Sequence, residues 1–135
     1  MKRIFAIAFI LASITASAQM KAEDVKTFTL KNGMKFLIVE DNSIPNANMY
    51  MFYKVGSRNE YQGITGLSHF FEHMMFNGAK KYGPKLFDQT MEFNGGANNA
   101  YTREDVTVYT NWFPSSATEV IFDLEGDRIA SLSID

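Results

Sequence analysis

The sequence predicts an α+β fold: a largely antiparallel sheet with helices packed on one face. Three observations lead there. Apolar residues recur with a period of two up to residue 55, with helical spacing from 66 to 94, and with a period of two again from 98 to 112. The helical segments come as a run rather than between successive strands, so the alternation of a parallel sheet is not visible. A last helical stripe follows a break at Pro114. The expected order is β-β-β-α-α-β-β-α.

Each element has a local cause. Phe28 and Leu30 alternate with polar neighbours, Asn32-Gly33 follows, and Met34 to Val39 is an apolar run interrupted only by Lys35. Asn-Gly between two such runs predicts a hairpin with a type I′ turn, because both residues accept positive φ. Asp41 to Asn46, containing Pro45, breaks the pattern, and Ala47 to Val55 resumes it with Met49, Met51, Tyr53 and Val55 on one face. A loop from Gly56 to Gly66 brings Thr65 to the expected N-cap of a helix from about Gly66 to Phe76, which Asn77-Gly78 stops. Pro84 suits the first turn of a second helix, with Phe87 and Met91 on one face and Gly95-Gly96 at its end. Asn98 to Trp112 predicts two strands or one bent strand, with Val106, Val108, Thr110 and Trp112 facing one way and Thr107, Tyr109 and Asn111 the other. Ser116 followed by Glu119 forms a capping-box signature, and Ala117, Val120, Ile121 and Leu124 supply the stripe of a final helix toward Leu132.

Composition bounds the function. The 135 residues are 46% hydrophobic and 14% aromatic, enough for one core and no second domain. A net charge of −2 with scattered cations argues against nucleic acid as a partner. The absence of cysteine excludes thiolate metal sites, cysteine nucleophiles and disulfides. Lys2 and Arg3 precede a mostly apolar run from Ile4 to Ile14, and Ala16-Ser17-Ala18 supplies small residues for cleavage, so residues 1–18 are expected to be a secretory signal. The alternative, a membrane anchor, needs about 20 apolar residues, more than this run contains. The mature chain is therefore expected to be exported, periplasmic or secreted, with no stable membrane anchor.

His69-Phe70-Phe71-Glu72-His73 falls inside the first expected helix. Residues four apart share a helix face, so both imidazoles can point at one ion, with Glu72 on nearly the same side. Neutral imidazole is a standard zinc ligand, and a carboxylate beside the ion can take a proton from water that the metal acidifies. These are the chain's only two histidines, and random placement seldom sets them four apart with glutamate at one given position between. The plainer reading is a solvated helix face, with Phe70, Phe71, Met74, Met75 and Phe76 packing the core.

His-x-x-Glu-His is the inversion of the thermolysin-type motif, and the sequence resembles the pitrilysin, insulysin and mitochondrial processing peptidase family of zinc peptidases. The likeness runs from about Phe28 to the end. Leu30-Lys31-Asn32-Gly33-Met34 is similar to the family's opening hairpin, Gly56-Ser57-Arg58-Asn59-Glu60 to its strand exit, and Gly66 through Gly78 to its catalytic helix. Gly95 through Thr102, with Thr107 and Tyr109, is similar to its substrate-side strand, and Leu124 through Ile129 to the helix that follows in bacterial members.

The resemblance implies that His69 and His73 bind zinc, that Glu72 is the general base and not a ligand, and that Asn98, Asn99 and Ala100 run beside a bound peptide added as an extra strand. It also implies a third ligand from a glutamate on a later helix, farther from His73 than Asp135 is. Glu119 and Glu125 are nearest by sequence but fall where the family has ordinary helix residues, and Glu125 with Arg128 reads as an ion pair or solvated face. The family encloses its peptide substrate between two related halves. Residues 27–135 are accordingly expected to be a truncated N-terminal portion of the peptidase domain, with the other half in the same longer chain or in a partner subunit. The alternative is a non-catalytic subunit or peptide-binding module on the same fold, against which the intact His69, Glu72 and His73 speak.

Overall fold

The computed structural model describes residues 24–134, so the expected leader at 1–18 lies outside the described residues. No helix among the described residues is long and apolar enough to cross a membrane. The chain divides after Ser43 into two compact units.

The first unit is a hairpin of β1 (Val25–Thr29) and β2 (Lys35–Val39), antiparallel with Thr29 opposite Lys35. Phe28 and Phe36 face each other across it with rings stacked 4.7 Å apart. Its turn is not the expected type I′. Leu30 N donates to Met34 O at 2.8 Å and Gly33 N to Leu30 O at 2.9 Å, making Lys31-Asn32-Gly33 a three-residue loop in which only Gly33 has positive φ, +89°. Asn32 stays out of the left-handed region and accepts the Met34 N–H at 3.1 Å through its side chain.

The second unit holds β3 (Asn46–Tyr53), α1 (Leu67–Met74), α2 (Leu86–Phe93), β4 (Ala97–Thr102), β5 (Thr107–Pro114) and α3 (Thr118–Ser131). Its strands pair antiparallel in the order β3-β5-β4. The expected order of elements is thus the observed one. Register puts Ala47, Met49, Met51 and Tyr53 on the same face as Phe113, Asn111, Tyr109 and Thr107, and continues it to Asn98, Ala100 and Thr102. The helices cover this face. Phe87 and Met91 of α2, Phe113 of β5, and Ala117, Ile121 and Leu124 beside and within α3 form the core, with Ala47 and Met49 packed against it. Each fully buried Ile, Leu or Met there contributes about 1.5–3 kcal/mol by leaving water. On the opposite face Tyr50, Phe52, Tyr101 and Trp112 are exposed.

Helix starts depart from expectation because the caps come from elsewhere. Thr65 does not cap α1; Gly66 stands at the N-cap without a side-chain bond. Pro84 precedes α2 rather than opening it, and Lys85 takes the N-cap at φ +66°, the one non-glycine residue with positive φ among the described residues. The Ser116–Glu119 capping box does not form, since Ser115–Ala117 winds into a short 3₁₀ turn and Ala117 becomes the N-cap of α3.

Candidate active site

The helix that carries the two histidines is tied down at its start by a residue six positions upstream. Beyond β3 the backbone passes under the β4–β5 turn, where Ser57 N donates to Arg103 O at 3.1 Å and Arg58 N to Glu104 O at 2.8 Å. A Cβ at Gly56 would lie 2.0 Å from Arg103 O, so only glycine permits this approach. The chain then delivers Glu60 to the start of α1, where its carboxylate accepts Gly66 N and Ser68 N, each at 2.8 Å. The Gly66 N–H first, then that of Ser68, hold the Glu60 carboxyl below its usual range.

One turn into α1, His69 and His73 are both exposed, with ring centroids 4.7 Å apart and Nε2 atoms 3.1 Å apart. Two imidazoles on one tetrahedral zinc at about 2.0–2.1 Å place their nitrogens about 3.3 Å apart. The pair therefore fits a single ion. Glu72 leaves the helix toward the sheet: it is 8% exposed, and the Thr102 hydroxyl at the end of β4 donates to its Oε2. A cavity of about 300 Å³ lies beside it, walled by Phe71 and Met75 of α1 and by Tyr53, Thr107 and Tyr109 of the sheet. Burial pushes the Tyr109 hydroxyl up to about 12, so this wall stays uncharged at neutral pH.

Two imidazoles converging on one point suit a zinc site with open positions rather than a closed structural site. No group of three or more His, Cys, Asp or Glu among the described residues can hold a metal. Glu125 is unavailable as a third ligand. It is 3% exposed, and Arg128 binds it twice, Nη2 to Oε1 at 2.5 Å and Nε to Oε2 at 3.0 Å, while Asn111 Nδ2 donates to Oε1 at 2.5 Å. The Arg128 guanidinium also lies over the rings of Phe87 and Tyr109, at 4.6 and 4.7 Å. The ion pair expected from the i, i+3 spacing exists, and it is buried rather than solvated. Glu119 is exposed on α3.

Asn98, Asn99 and Ala100 lie on β4, the edge of the three-stranded sheet and the strand that ends at Thr102. Arg103 N donates to Val106 O at 2.8 Å, so the hydrogen-bonded pairs with β5 fall at alternate residues from there. Asn99 and Tyr101 turn their backbone groups to β5; Asn98, Ala100 and Thr102 turn theirs to the free edge. The Asn98 side chain is tied to Asp88 at 3.0 Å, and the Asn99 side chain accepts the Ala100 N–H at 2.9 Å. Sequence reasoning grouped three consecutive residues that the register separates. It missed Thr102 and Glu60, whose contacts with α1 depend on a strand register and a loop path that periodicity does not encode.

Residues 35–131 match the model of the insulinase family, peptidase family M16. The chain belongs to this family. It is 30% identical to the zinc protease PqqE of Helicobacter pylori over 98% of its own length and 31% of that protein's. Among solved structures, a protease from Helicobacter pylori superposes with a TM-score of 0.79 at 30% identity, over 82% of this chain and 27% of that one. The periplasmic protease PqqL from Escherichia coli superposes with a TM-score of 0.78 at 27% identity, over 88% and 14%. The chain thus spans less than a third of the length of these relatives.

Proposed function

We propose that the protein is an exported zinc endopeptidase in which His69 and His73 hold the metal and Glu72 is the general base. The observation that carries this reading is the approach of two exposed Nε2 atoms to 3.1 Å on the same helix as Glu72, whose carboxylate is held by Thr102. Bound zinc would supply a Lewis acid that polarises the scissile carbonyl and lowers the pKa of water at the site to about 7. Glu72, one turn from His69, takes the proton of the attacking water and passes it to the leaving amine. The peptide lies along the free edge of β4, where the outward backbone groups of Asn98 and Ala100 can pair with it as an added strand once the Asn99 side chain releases the Ala100 N–H.

Residues 27–135 form the N-terminal portion of the peptidase domain in this reading. A carboxylate outside residues 24–134 completes the zinc site, and the second half of the peptide clamp comes from the same protein or a partner subunit. Support comes from the missing third donor among the described residues and from the greater length of the relatives. Export is supported by the leader-like residues before Gln19 and by PqqL, a periplasmic protease.

The test is Glu72→Gln in the full-length protein. The variant should keep about one zinc per chain while kcat for peptide hydrolysis falls by about 10²–10⁴-fold. Undiminished hydrolysis, or loss of zinc, contradicts the assignment of Glu72 as base and not ligand.

A further inference from the structure

We infer that Thr102 is the positioning residue of the general base, fixing the Glu72 carboxylate from the last position of the edge strand. The inference rests on the reading of Glu72 given above. A base must be held within hydrogen-bond reach of the proton it takes, and a helix backbone fixes little beyond the direction of Cβ. Glu72 carries its carboxylate on a flexible stem away from the α1 backbone, where it is nearly buried. Among the described residues, what meets it there is one hydroxyl, Thr102 Oγ1, donating to Oε2.

Thr107 stands opposite Thr102 in the β4–β5 register, with the two Oγ1 atoms 3.4 Å apart. Thr107 gives its own hydrogen to Val55 O at 3.0 Å. A hydroxyl has one hydrogen to donate, so Thr107 presents only lone pairs to its neighbour, and the Thr102 hydrogen goes to Glu72 Oε2 as the nearer of its two acceptors. The bond restrains the carboxylate through Oε2 and leaves Oε1 to accept the proton of water. Thr102 reaches neither the histidine nitrogens nor a reacting atom and is therefore not a catalytic residue.

The same residue turns its backbone to the free edge of β4. One position thus joins the strand along which a peptide would add to the group that would act on it.

The experiment uses Thr102→Val, of similar shape without the hydroxyl, and Thr102→Ser, which restores it, in the zinc-loaded full-length protein. Thr102→Val should lower kcat about 10- to 100-fold, the range for a hydrogen bond to a charged group, with KM within about twofold and zinc content unchanged. Thr102→Ser should recover most of the loss. In the metal-free protein, the ¹³C resonance of the Glu72 carboxyl, assigned by its disappearance in Glu72→Gln, should shift in Thr102→Val and stay in place in Thr102→Ser. Wild-type kcat with an unmoved resonance in Thr102→Val overturns the inference while Glu72→Gln remains inactive. Equal losses in the Val and Ser variants overturn it too, as does an unmoved resonance in Thr102→Ala, used should Thr102→Val be too unstable for kinetics. Full hydrolysis by Glu72→Gln instead removes the reading of Glu72 on which the inference stands.

Discussion

Two polar constellations in the second unit, one on α1 and one on α3, draw on similar residue types to opposite ends. Glu125, Arg128 and Asn111 are 3%, 1% and 2% exposed, and both carboxylate oxygens of Glu125 are engaged. His69 and His73 are exposed, and their nearest polar partner is each other at 3.1 Å. A buried charge paired by protein groups fixes a packing arrangement, because removing one partner strands the other in low dielectric. Donors that converge on one another in solvent stabilise little and retain the capacity to bind. Glu72 stands between these extremes, nearly buried and held by the Thr102 hydroxyl.

That contrast can be broken by substitution. The largest stability effect belongs to Arg128→Ala, which leaves the Glu125 carboxylate buried without its cation and removes the guanidinium from between Phe87 and Tyr109. It should cost about 3–5 kcal/mol in urea unfolding of the metal-free protein. A loss under about 1 kcal/mol would place the α3 network in the same class as an ordinary surface pair.

His73→Ala should behave in the opposite way. An exposed imidazole with only a second imidazole beside it contributes little, so the metal-free stability should stay within about 0.5 kcal/mol of wild type while zinc binding is lost. A large destabilisation without metal would show that the histidines serve the fold.

The smallest effect is at Glu60. Its carboxyl is held below the ordinary value of 4.5 by the Gly66 and Ser68 N–H groups, so its contribution is complete above that value and is lost as pH falls through the lowered one. Amide exchange at Gly66 and Ser68, taken relative to the intrinsic rate at each pH, should therefore quicken as pH falls below about 4.5. In Glu60→Gln it should already be faster at neutral pH and respond less to acid.

The order of eight elements was legible because each run of residues carries one period and the runs do not overlap. Boundaries were less so. Thr65, Pro84 and Ser116 are each chemically suited to open a helix, yet Glu60 supplies the cap for α1, Lys85 takes a left-handed turn before α2, and a 3₁₀ turn displaces the start of α3. At the site, the spacing of His69, Glu72 and His73 sufficed to bring the two imidazoles together, since helix geometry alone decides it. That Glu72 leans toward the sheet, that Thr102 meets it there and that Glu125 is sealed against Arg128 are consequences of β4–β5 register and of α3 packing. No local pattern announces them.

X-ray absorption at the zinc edge of the loaded full-length protein tests the central assignment most directly. The account predicts two imidazole nitrogens at about 2.0–2.1 Å, the same shell in Glu72→Gln, and loss of an imidazole from the shell, or of the metal itself, in His73→Ala. An unchanged imidazole shell in His73→Ala, or a shell that loses an oxygen in Glu72→Gln, would contradict it.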